Sequence, residues 1–201
     1  MTNMKSSLSV VWENMMIEKI FLIHAPARSG KNTCAEAMMD YYKSKNKRCC
    51  IVAFGDAVKF TLEKYYGITD YKSEWGRSNI QHYATEQCRG KIPTLWADWV
   101  CNWIKATEDD WDIIIIPDLR FKNELETIVK NFSSIVRTIN IIRPDIQECS
   151  DLTEEQKQHQ SESELDNYKK WDYNIINQSG QFMTTIQELC NLIDNESEEN
   201  E

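Results

Sequence analysis

The stretch 24–33 reads H-A-P-A-R-S-G-K-N-T and has the residue types of a phosphate-binding loop. Gly30 permits a tight backbone turn, and Lys31 is a cation that can reach the β- and γ-phosphates of a nucleotide. Backbone N–H groups at the start of a following helix favour the same anion. The spacing A-x-x-x-x-G-K departs from the usual loop at Ala25, which replaces glycine, and at Asn32, which replaces a hydroxyl residue. The pattern predicts a phosphate cradle, and the alternative is a helix-capping turn with an exposed lysine.

An acid and an arginine follow the most apolar segment of the chain, D-I-I-I-I-P at 112–117. Asp118 stands where an acid can orient the water shell of Mg²⁺ in a nucleotide-binding enzyme. Arg120 brings a guanidinium that can hold a phosphate through two hydrogen bonds. Thr33, next to the altered Asn32, supplies a hydroxyl that can reach the same metal. The alternative for Asp118 is that it ends the strand and caps the next helix.

The elements that would carry these residues alternate between strands and helices. Short apolar, β-branched runs predict strands at 19–24, 48–54, 112–117, 135–142 and 173–177. Helical periodicity predicts helices at 33–45, 57–66, 75–90, 93–107, 122–131 and 181–193. Such alternation implies right-handed crossovers and a parallel sheet. We therefore expect a three-layer α/β fold whose ligand lies at the carboxyl ends of the strands.

Composition bounds the domain organisation and the partners. The 201 residues carry a net charge of −9, which disfavours sequence-independent binding of nucleic acid. Seven cysteines without a C-x-x-C pair indicate reduced thiols in a cytoplasm, and no apolar run has the length of a membrane span. We predict a flexible extension at 1–16, one domain at 17–193 and an acidic disordered tail at 194–201. Within the domain, 75–107 is predicted to be a helical insertion that binds an acceptor or acts as a lid.

Six segments are informative because of their order. They are S-G-K-N-T (29–33), F-G-D-A-V-K (54–59), Q-H-Y-A-T-E-Q-C-R (81–89), I-I-I-I-P-D-L-R-F-K-N-E (113–124), H-Q-S-E (159–162) and D-Y-N-I-I-N (172–177). Over residues 19–193 they resemble the deoxynucleoside monophosphate kinases of bacteriophages and the related phosphomevalonate kinases. The resemblance implies a P-loop NTPase fold of the nucleoside monophosphate kinase type. It also implies transfer of the γ-phosphoryl group of ATP to the 5′-phosphate of a deoxynucleoside monophosphate, with Mg²⁺ as cofactor.

The resemblance also assigns roles to residues. The implied catalytic residues are Lys31, Arg89, Asp118 and Arg120. The phosphates of ATP would be bound by Arg28, Ser29, Gly30, Lys31, Asn32 and Thr33, with Arg143 as a further cation. The acceptor would be bound by Asp56, Lys59, Gln81, Thr85, Glu86, Arg89, Trp96 and Arg120. Asn177 would lie near the adenine, Thr33 would hold the metal directly or through water, and Asp118 would hold it through water.

Other interpretations stay open. Lys59 and Arg89 fit solvated helix faces as well, and Trp96 shares a packing-type spacing with Trp99 and Trp103. Ala84, where the resembling family has glycine, is expected to alter the acceptor pocket. A phosphomevalonate kinase and a nucleotide-binding protein without catalysis are the rival functions. The sequence does not fix the base of the acceptor or the oligomeric state, for which a homodimer is one option. A phage-encoded enzyme would act in the host cytoplasm, with neither nucleic acid nor membrane as a partner.

Overall fold

The computed structural model describes residues 17–144, 164–178 and 180–198. The predicted extension at 1–16 and the H-Q-S-E segment at 159–162 lie outside the described residues. The strands are β1 (Lys19–His24), β2 (Cys49–Ile51), β3 (Ile113–Ile116), β4 (Val136–Ile142) and β5 (Tyr173–Ile176). The helices are α1 (Lys31–Ser44), α2 (Phe54–Tyr66), α3 (Glu74–Gln81), α4 (Leu95–Ala106), α5 (Lys122–Phe132) and α6 (Phe182–Glu198). A π-helix (His82–Arg89) continues α3, and a 3₁₀ turn (Ser133–Ile135) precedes β4.

The five strands form one parallel sheet in the order β2-β3-β1-β4-β5. The central strand β1 pairs with β3 on one side, where Phe21 lies opposite Ile115. It pairs with β4 on the other side, where Ile23 lies opposite Ile139. Helices join β1 to β2, β2 to β3 and β3 to β4, so each of these three connections crosses one face of the sheet. The predicted three-layer α/β fold with a central parallel sheet is confirmed.

Both faces of the sheet are buried, which explains why the strands are apolar without interruption. Ile20, Leu22, Ile114 and Ile116 share one cluster with residues of α2, α4 and α5. The opposite side chains of the same strands pack against α1 and α6 in a second cluster. Two helical layers therefore hold β1 and β3 rigidly, and the loops that follow these strands start from fixed positions.

Helix α2 begins at Phe54, three residues before the predicted start, because its first N–H groups find acceptors. The Asp56 carboxylate accepts from the backbone N–H of Ala53 at 2.8 Å. The two oxygens of Asp118 accept from the N–H groups of Phe54 and Gly55, each at 2.9 Å. Helix N-termini leave such groups unpaired unless side chains satisfy them. Asp118, which follows β3, therefore caps α2 and lets this helix begin closer to the sheet.

Helix α6 continues to Glu198, past the boundary at residue 193 that the sequence predicted. Asp194 is held there by Lys45 at 2.6 Å and by Lys19 at 3.5 Å. It also accepts hydrogen bonds from the hydroxyls of Tyr41 and Tyr42. The first residues of the predicted disordered tail are thus part of the folded domain. Across the described ranges, the helices are too short or too polar to span a bilayer.

Candidate active site

A cavity of about 470 Å³ opens at the carboxyl ends of β1, β2 and β3. Three loops form its floor, the ones that follow these strands, and α2, α3 and the π-helix form its wall. Carboxyl ends of neighbouring parallel strands converge at one edge of a sheet, which makes this edge the usual ligand site of such folds. The predicted residues that line the cavity are Arg28, Lys31, Asn32, Lys59, Gln81, Thr85, Arg89, Asp118 and Arg120.

The cavity has an excess of positive charge although the chain is acidic overall. Six cations line it: Arg28, Lys31, Lys59, Arg77, Arg89 and Arg120. Only two acids do so, Asp118 and Glu124, and both accept hydrogen bonds from the protein. A cleft lined by one sign of charge concentrates ligands of the opposite sign. The geometry therefore favours a ligand with several negative charges.

The loop between β1 and α1 has the backbone of a tight anion-binding turn. Gly30 precedes α1 with a left-handed φ of +94°, and Arg28 is also left-handed with a φ of +61°. Ala25 has no positive φ, so its methyl group is compatible with the backbone. Lys31 is the first residue of α1 and lines the cavity. Its ammonium group and the positive end of the helix therefore act on the same space.

Asn177, which follows the edge strand β5, holds the loop between β1 and α1 in place. Its side-chain amide donates to the carbonyl of Ser29 at 2.9 Å. A Cβ on Gly30 would lie 2.6 Å from the amide nitrogen of Asn177 and 2.9 Å from the ring of Phe182. The adenine contact predicted for Asn177 stays a prediction, because the visible role of this amide is to fix the loop.

Asp118 and Arg120 lie at the bottom of the cavity, beyond the end of β3. Burial raises the pKa of Asp118, and the N–H groups of Gly55 and Phe54 together with Arg120 oppose that shift. Burial lowers the pKa of Arg120, while Asp118 and Glu124 oppose that change. Guanidinium groups stay protonated in proteins, so Arg120 contributes a positive charge to the cavity floor.

Arg89 is a largely buried cation of the site. Its side chain is only 10% exposed, and its Nη2 donates to Oε1 of Glu124. The guanidinium lies 4.1 Å from the ring centre of Phe121. Among the described residues, Nε and Nη1 of Arg89 are buried without a hydrogen-bond partner. Buried polar groups in native proteins are nearly always paired, so such nitrogens in a cavity wall point to an anionic ligand or water.

Three polar side chains line the same wall of the cavity. They are Gln81, the last residue of α3, and Thr85 and Arg89 of the π-helix, which are spaced four residues apart. The N–H of Gly90 donates to the carbonyl of Thr85, a bond of the wider π type.

Other predicted site residues lie elsewhere. Glu86 is exposed on the π-helix and contacts His82 at 2.6 Å, and Asp56 is exposed at the start of α2. Trp96 is 6% exposed within the core, and its indole N–H donates to the carbonyl of Ala84 at 3.1 Å. Thr33 is exposed on α1. None of these four lines the cavity, so the structure places them outside the acceptor wall for which the resemblance proposed three of them.

The residues predicted to hold Mg²⁺ do not form a shared ligand set. Both oxygens of Asp118 accept backbone N–H groups, and Thr33 is exposed and does not line the cavity. In the described part of the chain, no group of three His, Cys, Asp or Glu side chains is arranged to hold a metal ion. The side chains of the described residues therefore do not form a set that could coordinate a metal ion directly.

A second cleft of about 470 Å³ lies on the β4 side of the loop. Arg143 lines it and donates to the carbonyl of Arg28 at 2.9 Å. Ser29 also lines it, and its hydroxyl is buried without a partner among the described residues. Nδ1 of His24 donates to the carbonyl of Leu119 at 3.1 Å, the ring stacks on Trp171, and burial lowers the pKa of the imidazole. His24 is thus a packed residue of the strand end.

Three polar residues that line the main cavity are not predicted from the sequence. Glu124 accepts hydrogen bonds from the N–H groups of Arg120 and Phe121 at the start of α5. An acid three residues after the residue that precedes a helix is a known capping signal, so this position was open to prediction. Tyr71 in the α2–α3 connection and Arg77 in α3 also line the cavity, and no periodic pattern distinguishes them.

Comparisons with known proteins describe only the general fold. No family model and no curated protein sequence matches this chain. A cysteine-to-alanine mutant of the APS kinase CysC from Mycobacterium tuberculosis aligns with a TM-score of 0.45 and 10% identity, over 90% of this chain and 96% of that one. A gluconokinase from Sinorhizobium meliloti 1021 aligns with a TM-score of 0.47 and 9% identity, over 90% and 99%. Likenesses this distant assign no activity, and the site itself must do so.

Proposed function

We propose that this chain is an ATP-dependent kinase that phosphorylates a deoxynucleoside monophosphate at its 5′-phosphate. The observation that carries the proposal is Arg89, a buried guanidinium with two unpaired nitrogens in the wall of a cation-rich cavity. These nitrogens have almost no solvent-accessible surface, so a phosphate group that enters the cavity would satisfy these donors once the side chains that cover them shift. Lys31 lies in the same cavity at the start of α1, where the phosphates of ATP are expected.

The two cation groups suit the two halves of a phosphoryl transfer. Arg28 and Lys31 belong to the donor side, next to the loop after β1. Arg89 and Lys59 line the wall built by the π-helix and α2 and belong to the acceptor side, while Arg120 lies on the floor after β3. Phosphoryl transfer depends mainly on positioning and on neutralising the charge of the transferred group. Cations that converge from several elements supply both.

The acceptor wall favours a nucleotide over a small phosphorylated acid. Gln81 and Thr85 continue the row that Arg89 begins, and Ile80 and Tyr71 add apolar surface beside them. A side-chain amide and a hydroxyl can donate to and accept from the edge of a base. Mg²⁺ enters the proposal with ATP, held by phosphate oxygens and water, because the residues that the structure describes offer no cluster of three His, Cys, Asp or Glu ligands.

Turnover is the decisive test. Purified protein is incubated with Mg-ATP and each deoxynucleoside monophosphate, and in parallel with phosphomevalonate, and the ADP formed is measured. We expect ADP with one or more nucleotides, abolished by Lys31→Ala and strongly reduced by Arg89→Ala. Lys91→Ala removes an exposed cation just beyond the π-helix and should leave the rate unchanged.

Other results would redirect the proposal. ADP formed only with phosphomevalonate would assign the chain to the rival kinase branch. ATP binding without ADP formation for any acceptor would leave a nucleotide-binding protein without catalysis.

A further inference from the structure

Glu124 makes contacts that no ordinary helix cap needs. It lies in the first turn of α5, and its side chain is 1% exposed. Oε2 accepts from the N–H groups of Arg120 at 2.9 Å and of Phe121 at 3.0 Å. Oε1 accepts from Nη2 of Arg89, which comes from the π-helix 35 residues earlier in the chain. One buried carboxylate thus joins the loop after β3 to the opposite wall of the cavity.

These contacts leave Arg89 little freedom. One edge of its guanidinium is bound by Glu124, and one face is covered by the ring of Phe121 at 4.1 Å. Phe121 is itself fixed, because its backbone N–H donates to the same carboxylate. A long side chain normally loses considerable rotamer entropy when it binds a ligand. Here that entropy is lost on folding, so the unpaired Nε and Nη1 are already ordered before a ligand arrives.

We propose that Glu124 is a positioning residue that orients Arg89 for the anionic group of the acceptor. This inference rests on the proposed function, and it concerns the acceptor side alone. Glu124 also accepts from the backbone of Arg120, so it fixes the peptide that carries a second cation of the cavity. Without the carboxylate, Arg89 could rotate away from the wall, and the acceptor would bind weakly while ATP would bind as before.

Glu124→Gln tests this with little change of shape. Both backbone hydrogen bonds use one oxygen and Arg89 uses the other. The amide oxygen of glutamine can still accept from the backbone, whereas its NH₂ group cannot accept from Arg89. Asp112→Asn is the matched control. It also replaces a carboxylate that pairs with an arginine, Arg48, but this pair lies outside the cavity.

The expected kinetic result is a split between the two substrates. In Glu124→Gln the KM for the nucleotide acceptor should rise about tenfold or more, which corresponds to the loss of one charge-assisted contact. The KM for ATP should stay within about twofold, and Asp112→Asn should change neither value. In an Arg89→Ala background, Glu124→Gln should add less than about twofold, because a positioning residue has nothing left to position.

Two outcomes would overturn the inference. One is an unchanged acceptor KM in folded Glu124→Gln. The other is a full additional loss when the substitution is made in Arg89→Ala. Should Glu124→Gln fail to fold, Glu124→Asp carries the same test, because the shorter side chain keeps its charge but cannot reach both partners; an unchanged acceptor KM there overturns the inference equally.

A readout independent of turnover separates this inference from the proposed function. Inorganic phosphate should raise the melting temperature of the wild-type protein, and Arg89→Ala and Glu124→Gln should lose that increase to the same extent. If no acceptor is turned over but this pattern holds, the kinase proposal fails and the role of Glu124 stands. If turnover occurs and Glu124→Gln keeps the full phosphate effect and acceptor KM, the kinase proposal stands and the inference fails.

Discussion

At the scale of single residues, Gly30 occupies a position that admits no side chain. Its φ of +94° is left-handed, and a Cβ would collide with Asn177 and Phe182. The phosphate loop is therefore fixed by a glycine on one side and, on the other, by Asn177 just after β5 and Phe182 at the start of α6. The close approach explains how a loop with an unusual first residue and an unusual last residue can keep a defined shape.

Gly30→Ala should destabilise the protein by about 2–4 kcal/mol, the sum of backbone strain and the collision. Gly67→Ala is the matched control, because Gly67 is also left-handed at +68° but has no atom within 4 Å of its added Cβ. The control should lose only about 1 kcal/mol. Urea unfolding measures both, and equal losses would show that the contact with Asn177 has no energetic weight.

Glu124 should also give the folded state a pH dependence. Burial raises its pKa to about 7, opposed by Arg89, whereas an unfolded glutamate titrates near 4.5. Between these values the folded chain keeps a proton that the unfolded chain has released, so stability falls as the pH rises through this window. The full shift corresponds to about 3 kcal/mol.

The measurement compares wild-type protein with Glu124→Gln, because the other titrating groups cancel in the difference. Unfolding free energies are measured by urea at several pH values from 4.5 to 7. The stability of the wild type relative to the variant should decline steadily over this range. A constant difference would mean that Glu124 titrates at its ordinary pKa.

The site residues that can be predicted from the sequence are those whose chemical type and local position are sufficient to indicate their role. Gly30 and Lys31 stand out by spacing, and Asp118 and Arg120 by their position after an apolar run. The pairing of Glu124 with Arg89 joins residues 35 positions apart, and no local pattern encodes it. Trp96 shows the opposite case, since an aromatic side chain fits a core and a base-stacking site equally well until burial is known.

At the scale of elements, the order of strands and helices follows from apolar periodicity, but the π-helix does not. The sequence predicts one regular helix at 75–90, and the structure has eight residues of π-helix in its second half. A change from i+4 to i+5 hydrogen bonds alters no residue type, so periodicity cannot detect it. The sequence predicts the start of α2 three residues too late for a similar reason, because Asp118, the acid that caps this helix, follows β3 and not β2.

Asp118→Asn should destabilise the protein even without a ligand. The amide offers one oxygen where the carboxylate offers two, so either Phe54 or Gly55 loses its acceptor. We expect a loss of about 1–3 kcal/mol in the free energy of unfolding. Asp110→Asn, at an exposed position before β3, should change it by less than about 0.5 kcal/mol. An unchanged free energy of unfolding in Asp118→Asn would mean that Asp118 does not stabilise α2 and acts only on a ligand.

At the scale of the whole molecule, the last helix ties both ends of the described chain together. Asp194 in α6 contacts Lys19 at the start of β1 and Lys45 after α1. Ending the chain after residue 193 should therefore lower stability by about 1–2 kcal/mol, as expected for the loss of a partly buried, hydrogen-bonded charge. Ending it after residue 198 should have no measurable effect. Thermal unfolding of the two truncated proteins checks this, and equal melting temperatures would contradict it.

The position of β1 at the centre of the sheet has a consequence for synthesis on the ribosome. Among the described residues β1 is the first strand to be made, but its neighbours β3 and β4 end only at residues 116 and 142. At about 5–20 residues per second, the apolar segment 19–24 waits roughly 6–24 seconds for its second partner. We expect nascent chains stalled before residue 113 to be cut readily by protease near β1, and chains that include β4 to be protected. Protection of the shorter chains from protease would contradict this expectation, because it would show that β1 is buried before β3 and β4 are synthesised.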